Sequence, residues 1–413
     1  MIRHAPAILV GRAVRVVARL RKRGGGSAIP GYVVNRMAPG FLFATLNSVE
    51  GGIIIVSGSS GKSTTTKMLV AVLRAHGRSV FTNDSTANIS QGLTSALLER
   101  VDLRGRLSES MAVLEMDEGH GALVAAKLNP RTVVLTNVMT DQIDRFQDSA
   151  QVAAMLSGIA ARATESLVYN ADDEYLAEIA QASRAAATGF GVTPSVRATL
   201  PRGLGYAAEV TTREPARTEV TSISGLDVTV CLGGESLHLT VPARGAHYAV
   251  DAAAALAAAE VILGVEFDPH QAALAISGIT PVFARGEITS VRGESVEFVL
   301  VQNPASFQLN VDELDPALDQ VFMAIGSDVR DPSYFWSVDV TSMPPVHTAS
   351  GSKAHELALQ LAYNGVAVGE IDSDLPAAID RFLALPAPEH GIKTVIFSAD
   401  PMRRIRTHLG LAE

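Results

Sequence analysis

The stretch Ile53-Ile-Ile-Val-Ser57-Gly-Ser-Ser-Gly61-Lys62-Ser63-Thr64 constrains this chain more than any other. A β-branched run feeds a glycine turn, and the turn opens a helix that reaches about His76. A turn of this kind wraps backbone N–H groups around a phosphate at a helix N-terminus, where the macrodipole also favours negative charge. Gly58, Ser59, Ser60, Gly61 and Thr64 form the expected cradle. Lys62 is expected to reach the β- and γ-phosphates of ATP, and the Ser63 hydroxyl to hold Mg²⁺. Val56 stands where the full eight-residue P-loop pattern has its first glycine, so what remains is Gly-x-x-Gly-Lys-Ser.

The rest of the composition narrows the class. At 413 residues the chain is long enough for two or three domains. Its net charge of −9 argues against a general nucleic-acid binder. Cys231 is the single cysteine, inside the strand-like Val228-Thr-Val-Cys-Leu, so neither an internal disulfide nor a cysteine zinc site can form. A reducing compartment, the cytoplasm, is the simplest expectation. Ile8-Leu-Val is too short for a signal core, and no run approaches a membrane span.

Charge is unevenly spread. Before the first acidic residue, Glu50, stand Arg3, Arg12, Arg15, Arg19, Arg21, Lys22, Arg23 and Arg36. In this segment, residues 1 to 49, Arg12, Arg15, Arg19 and Lys22 recur at helical spacing beside Leu9, Ala13, Val16 and Leu20. Such a basic amphipathic helix either meets an anionic membrane surface or lipid-linked substrate, or packs on the protein's own domain. The glycine-rich run at 24–31 ends it.

Residues 50 to 283 alternate strands with helical stretches, which predicts a parallel sheet with ligands beyond its carboxyl ends. Strands at 79–82, 111–114 and 132–136 run into polar clusters: Asn83 to Asn88, Glu115-Met-Asp-Glu118, and Asn137 to Arg145. Ser63 with Glu115 forms a plausible magnesium shell of hard oxygens. The plainer alternative is that these carboxylates only cap helices.

These motifs together resemble the Mur ligases, which activate a carboxylate with ATP as an acyl phosphate and form an amide bond. The resemblance rests on Gly58-x-x-Gly-Lys-Ser-Thr-Thr-Thr, Leu114-Glu-Met-Asp-Glu118, Thr136-Asn-x-x-x-Asp-Gln-Ile-Asp-Arg145 and Asn170-Ala-Asp-Asp173. Gln142, where amino-acid-adding members have histidine, is similar to the MurT branch. So are Thr82-Asn83 through Gly92 and Gly26-Ser-x-x-Pro-Gly31. No lysine occurs between Lys127 and Lys353, so the carbamylated lysine of the amino-acid-adding branch has no counterpart there. The resemblance implies an α/β fold: a central P-loop domain on a parallel sheet and a smaller α/β C-terminal domain over residues 284–413.

It also implies further site residues. Arg244-Gly-Ala-His247-Tyr-Ala-Val-Asp251 corresponds to the family's Gly-x-His-Asn-x-x-Asn, which helps hold the adenine; both asparagines are replaced, by Tyr248 and Asp251. His247 is equally readable as a plain helix start. Arg285 resembles the arginine that approaches the γ-phosphate, a task its forked donors suit. Gln302 stands in place of a lysine in an otherwise similar Asn-Pro-Ala segment. Asp331 aligns with the aspartate that completes the triad of a GatD-like class I glutaminase, with Asp339 as fallback; Asp331-Pro-Ser also reads as an ordinary turn.

The function expected from the resemblance is ATP- and Mg²⁺-dependent amidation of a carboxylate. The expected acid is the D-glutamate α-carboxylate of lipid II, a lipid-linked peptidoglycan precursor, with ammonia from the separate glutaminase subunit. Three alternatives stay open: the same chemistry on another acid, a nucleotide-binding scaffold, and an unrelated P-loop kinase or GTPase.

Overall fold

The computed structural model describes residues 4–21, 28–83, 89–139, 148–200, 202–279, 285–301, 304–330 and 336–411. They divide into two compact units. Unit 1 holds the described residues up to Ile279 except Pro242–Ala246; unit 2 holds those five and everything described from Arg285 on.

Unit 1 opens with α1 (Ala5–Arg21), α2 (Ile29–Met37) and α3 (Phe41–Leu46). Then follow β1 (Ile53–Ser57), α4 (Lys62–Ala75), β2 (Val80–Thr82), α5 (Ser90–Arg100), β3 (Met111–Glu115), α6 (Glu118–Ala125) and β4 (Pro130–Leu135). The alternation continues through α7 (Ser149–Ala160), β5 (Ser166–Asn170), α8 (Glu174–Gln181), β6 (Ala186–Val192) and α9 (Pro194–Arg197). Strands β7 (Thr218–Ser224), β8 (Asp227–Leu232) and β9 (Glu235–Thr240) and helices α10 (Ala246–Leu263) and α11 (Pro269–Ser277) complete it.

The nine strands lie in the order β2-β3-β1-β4-β5-β6-β7-β8-β9. All pairs up to β7 are parallel, and the last three strands form antiparallel hairpins. Every residue of β1 and β3 is buried, as expected of parallel strands covered on both faces. Val56 pairs with Glu115 on one side and Val134 on the other, so the carboxyl ends of β3, β1 and β4 emerge side by side. Helix α10 is the one described helix long and apolar enough to cross a membrane, yet Ala252 through Ala259 are fully buried, which makes it a core helix. At the far edge α11 packs along β9, and the Thr240 N–H donates to Ser277 Oγ at 3.0 Å.

The N-terminal helices join this core. Ile8, Val34, Phe41 and Leu46 cluster with Leu93, Leu97 and Leu98 of α5 and with the strands. The Arg12 guanidinium donates to the carbonyls of Leu98 (2.9 Å) and Val101, two of the acceptors a helix end leaves open. Arg15 donates to the Ser95 carbonyl at 3.4 Å and pairs with Glu99. These two arginines of the basic helix therefore turn inward, onto α5. Gly31 is the contact point of α2: its N–H donates to Ser95 Oγ at 2.8 Å, and a Cβ there would lie 1.9 Å from the Gln91 carbonyl oxygen.

Unit 2 contains β10 (Arg285–Val291), β11 (Glu294–Leu300), α12 (Pro304–Asp312), β12 (Val321–Ala324), β13 (Val346–Ser350) and α13 (Ala354–Tyr363). It ends with β14 (Val368–Asp372), α14 (Leu375–Leu383), β15 (Lys393–Phe397) and α15 (Ala399–His408). Its sheet runs β10-β11-β15-β12-β13-β14, with an antiparallel β10–β11 hairpin and the rest parallel. Lys393 is buried but satisfied, by Glu294 at 2.6 Å and the carbonyls of Leu383 and Leu385 at 3.1 and 2.6 Å.

Gly31→Ala should force α2 off α5 at a backbone contact that cannot yield cheaply. The expected loss is about 1–3 kcal/mol, read as a lower urea midpoint by circular dichroism; an unchanged midpoint would show that this helix pair does not matter to unit 1.

Candidate functional site

The glycine turn after β1 is held by the strand beside it. Ser59 N–H donates to the Asn137 carbonyl and Ser60 N–H to Asn137 Oδ1, both at 2.9 Å. Asn137 Nδ2 and Thr136 Oγ1 donate back to the Ser60 carbonyl at 3.3 and 2.6 Å. Met139 N–H donates to Ser59 Oγ at 3.1 Å. Asn137 thus serves here as a brace of the loop. The turn also needs left-handed backbone at Gly58 (φ 141°) and Gly61 (φ 80°). Each is tightly enclosed: a Cβ at Gly58 would lie 2.2 Å from Thr136 Oγ1, and one at Gly61 2.2 Å from Asp251 Oδ1.

Lys62 opens α4, as the motif requires. Its ammonium folds back onto the loop, donating to the carbonyls of Gly58 and Ser59, the latter at 3.1 Å. The Ser63 hydroxyl donates to Glu115 Oε1 at 2.9 Å. Glu115 ends β3 and is fixed through its backbone, because Asn83 accepts from its N–H and donates to its carbonyl, both at 3.0 Å. The structure therefore brings Lys62, Ser63, Glu115 and Asn137 together around one turn. Thr64 is buried in the first turn of α4.

Two carboxylates complete the surroundings. Asp251, one turn into α10, accepts from Thr65 Oγ1 at 3.2 Å and lies against Gly61. Glu118 opens α6 and is 1% exposed; neither of its oxygens has a hydrogen-bond partner, and Lys62 Nζ lies 3.6 Å away. Asp117 caps that helix, accepting from the N–H groups of His120 and Gly121 at 2.6 and 3.1 Å. The sequence showed the run Glu115 to Glu118 but not which acid faces the lysine. His247 sits in the first turn of α10, its ring 4.3 Å from that of Tyr248.

The donor chemistry fits a magnesium–triphosphate. A hydroxyl beside a carboxylate offers the hard oxygens Mg²⁺ takes, and the α4 N-terminus with Lys62 supplies the positive end for phosphate. The Glu118 carboxylate, with Lys62 3.6 Å away and no hydrogen-bond donor, keeps acceptor capacity at this site.

A buried network stands behind Asn137. Asp173 caps α8 through Leu176 N–H (3.1 Å) and also accepts from Val138 N–H at 2.6 Å. Burial pushes its carboxyl up to about 7, against those hydrogen bonds and with the negative charge of Glu209 adding to the effect. Its neighbour Asp172 pairs with Arg197 and Arg213, both at 2.8 Å. The Tyr206 hydroxyl accepts from Asn170 Nδ2 at 2.7 Å, and desolvation, with the negative charge of Asp172 adding to it, holds its ionisation well above the ordinary value.

Of the remaining expected residues, Arg285 opens β10 in unit 2, with its backbone paired to Val299. Asp331, Gln142 and Gln302 lie outside the described residues. Asp339 is engaged locally, its Oδ1 accepting from the N–H and hydroxyl of Thr341 at 2.9 and 2.5 Å.

Comparison with known proteins places this geometry. Residues 56–259 match the Mur ligase middle domain. The chain is 29% identical over 186 residues to the subunit MurT of lipid II isoglutaminyl synthase (glutamine-hydrolyzing) from Staphylococcus aureus, covering 44% of this chain and 40% of that one. In structure it is similar to MurF from Acinetobacter baumannii, with a TM-score of 0.68 at 17% identity over 91% of this chain and 80% of that one. It is also similar to folylpolyglutamate synthase from Mycobacterium tuberculosis, solved with ADP and AMPPCP, with a TM-score of 0.65 at 16% identity over 98% and 99% of the two chains. The aligned part spans about two-fifths of the length of the curated MurT relative.

Lys62→Ala should abolish nucleotide binding and strand the Glu118 carboxylate without a counter-charge, costing about 3 kcal/mol of stability. Adding Glu118→Gln should return most of that stability but none of the binding, measured by denaturant titration and calorimetry; additive losses would break the proposed pairing. Asp173 gives a pH signature. From its ordinary value of 3.8 up to about 7 the folded chain keeps a proton that the unfolded chain has released. Its contribution is therefore full below 3.8 and is lost as pH rises through 7, on the order of 1.4 kcal/mol per pH unit at most. Asp173→Asn should flatten that fall in a pH series of unfolding midpoints.

Proposed function

Starting from the chain as a divergent member of the Mur ligase family, carrying that family's middle domain over residues 56–259, we propose that it is an ATP-dependent amide ligase. The observation that supports this most is the Ser63 hydroxyl 2.9 Å from Glu115 at the mouth of the glycine turn, with Lys62 beside them. A kinase or GTPase reading would account for the turn alone. It would leave the Mur-type fold of both units unexplained.

In this reading the backbone N–H groups of the turn and the α4 N-terminus bind the triphosphate, and Lys62 leaves Gly58 and Ser59 to pair with its β/γ end. Ser63 and Glu115 would hold Mg²⁺, which when bound neutralises phosphate charge. Arg285 approaches the γ-phosphate. The acceptor carboxylate attacks that phosphorus, ADP leaves, and ammonia displaces phosphate from the acyl phosphate to give the amide. No residue of the chain resembles a glutaminase nucleophile, since Cys231 is on β8. Ammonia therefore comes from a GatD-like class I glutaminase, whose histidine Asp331 would orient. The acid is the D-glutamate α-carboxylate of lipid II, reached in the cytoplasm at the inner face of the membrane through the basic N-terminal segment.

A second reading keeps the chemistry and changes the acid. It is favoured by the replacements at Tyr248, Asp251 and Gln302, and a polyglutamate or other specialised acid would then be the acceptor.

Hydroxylamine trapping separates these outcomes. With ATP and the lipid-linked glutamate precursor the protein should form a hydroxamate, and Lys62→Ala, which cannot hold the nucleotide, should form none above background. Hydroxamate only with other acids supports the second reading; none with any acid removes the ligase proposal. Asp331→Asn should keep activity with free ammonia and lose it with glutamine and the partner. Equal loss from both ammonia sources would overturn the role given to Asp331.

A further inference from the structure

Helix α1 buries Ala7, Ile8 and Gly11 and presents a second apolar face to solvent. The exposed positions of its described turns are Pro6, Leu9, Val10, Ala13, Val16 and Val17, one stripe at helical spacing over three turns. Leu9 is 55% and Val16 59% exposed. The polar residues of the same turns, Arg12 and Arg15, are drawn inward to the carbonyls of α5. Helix α2 packs on α1 and continues the pattern, with Ile29, Tyr32 and Met37 exposed beside an exposed Arg36. A patch of this kind on a folded domain marks an interaction site.

Its charge identifies the occupant. Every charged residue before Glu50 is basic, eight in all, in a chain whose net charge is −9. A second copy of the same face would bring like charges together. An anionic lipid surface offers both an apolar layer for the stripe and negative headgroups for the basic residues of this segment other than Arg12 and Arg15, the exposed Arg36 among them. We propose that the exposed face of α1 and α2 is a peripheral docking surface for anionic membranes, with α1 lying in the headgroup plane on Leu9, Val16 and Val17. The contact deepens the ligase reading by bringing the site to lipid-carried substrate, but it does not need nucleotide or acid to form.

The test uses the full chain and vesicles of phosphatidylcholine alone or with about a third phosphatidylglycerol. Co-sedimentation should occur with the anionic vesicles, weaken in about 0.5 M salt, and drop roughly tenfold in Val16→Asp/Val17→Asp. Leu9→Asp, about two turns earlier, should act the same way. Both variants change exposed positions, so unfolding midpoint and nucleotide binding should stay at the parent values. Failure of the parent to bind anionic vesicles, or equal binding by both variants, overturns the proposal. So does a dimer in sedimentation velocity without lipid that the same variants dissolve, since the face would then belong to a second copy. Hydroxamate formation from a water-soluble acid reports the ligase reading separately: if it persists while vesicle binding fails, only the docking surface is lost.

Discussion

Thr136 and Asn137, just past the end of β4, hold the glycine turn in place. Without their hydrogen bonds to Ser59 and Ser60 the loop carbonyls would have no reason to face the neighbouring strand. The parallel order β3-β1-β4 is what delivers them, because it sets three strand ends in one row. Asp173 extends the same scaffold one strand further, binding Val138 N–H next to the brace while it caps α8. The position of the loop is thus fixed by backbone geometry across several strands, and the reactive side chains inherit that rigidity.

The charge around the turn has its own logic. Among the described residues Glu115, Glu118 and Asp251 supply three carboxylates around the turn, with the Lys62 ammonium among them. An incoming polyanion meets repulsion there unless cations come with it. This balance fits the proposal that a nucleotide binds here together with a cation. Lys62 is meanwhile kept on its own loop by two carbonyls, with the Glu118 carboxylate 3.6 Å away as its charged neighbour.

Local features were the legible ones. The strand, turn and helix around Lys62 are contiguous, and Glu115 closes a strand whose hydrophobic run can be read directly. Asp251 could be matched to a family position, but its place against Gly61 depends on packing between segments 190 residues apart, and no pattern of apolar residues encodes it. Glu118 was hidden for a different reason: neighbouring acids at a helix start are chemically alike until the helix direction is known. The orientation of α1 was equally closed to sequence. Periodicity reveals two faces, one basic and one apolar, and the apolar one is ordinarily turned inward. Here Ala7 and Ile8 do turn inward, but carbonyl acceptors of α5 draw Arg12 and Arg15 in beside them and leave Leu9, Val16 and Val17 outside.

The margins of the nine-stranded sheet have a consequence for how the protein behaves at high concentration. A long parallel sheet normally offers two rows of unmatched backbone groups to which foreign strands can add. On one side the row is only three residues long, in β2; on the other, α11 lies along β9 and a serine hydroxyl takes up a backbone N–H that a further strand would have used. Fibre-like stacking of copies through this sheet is thereby starved of a template.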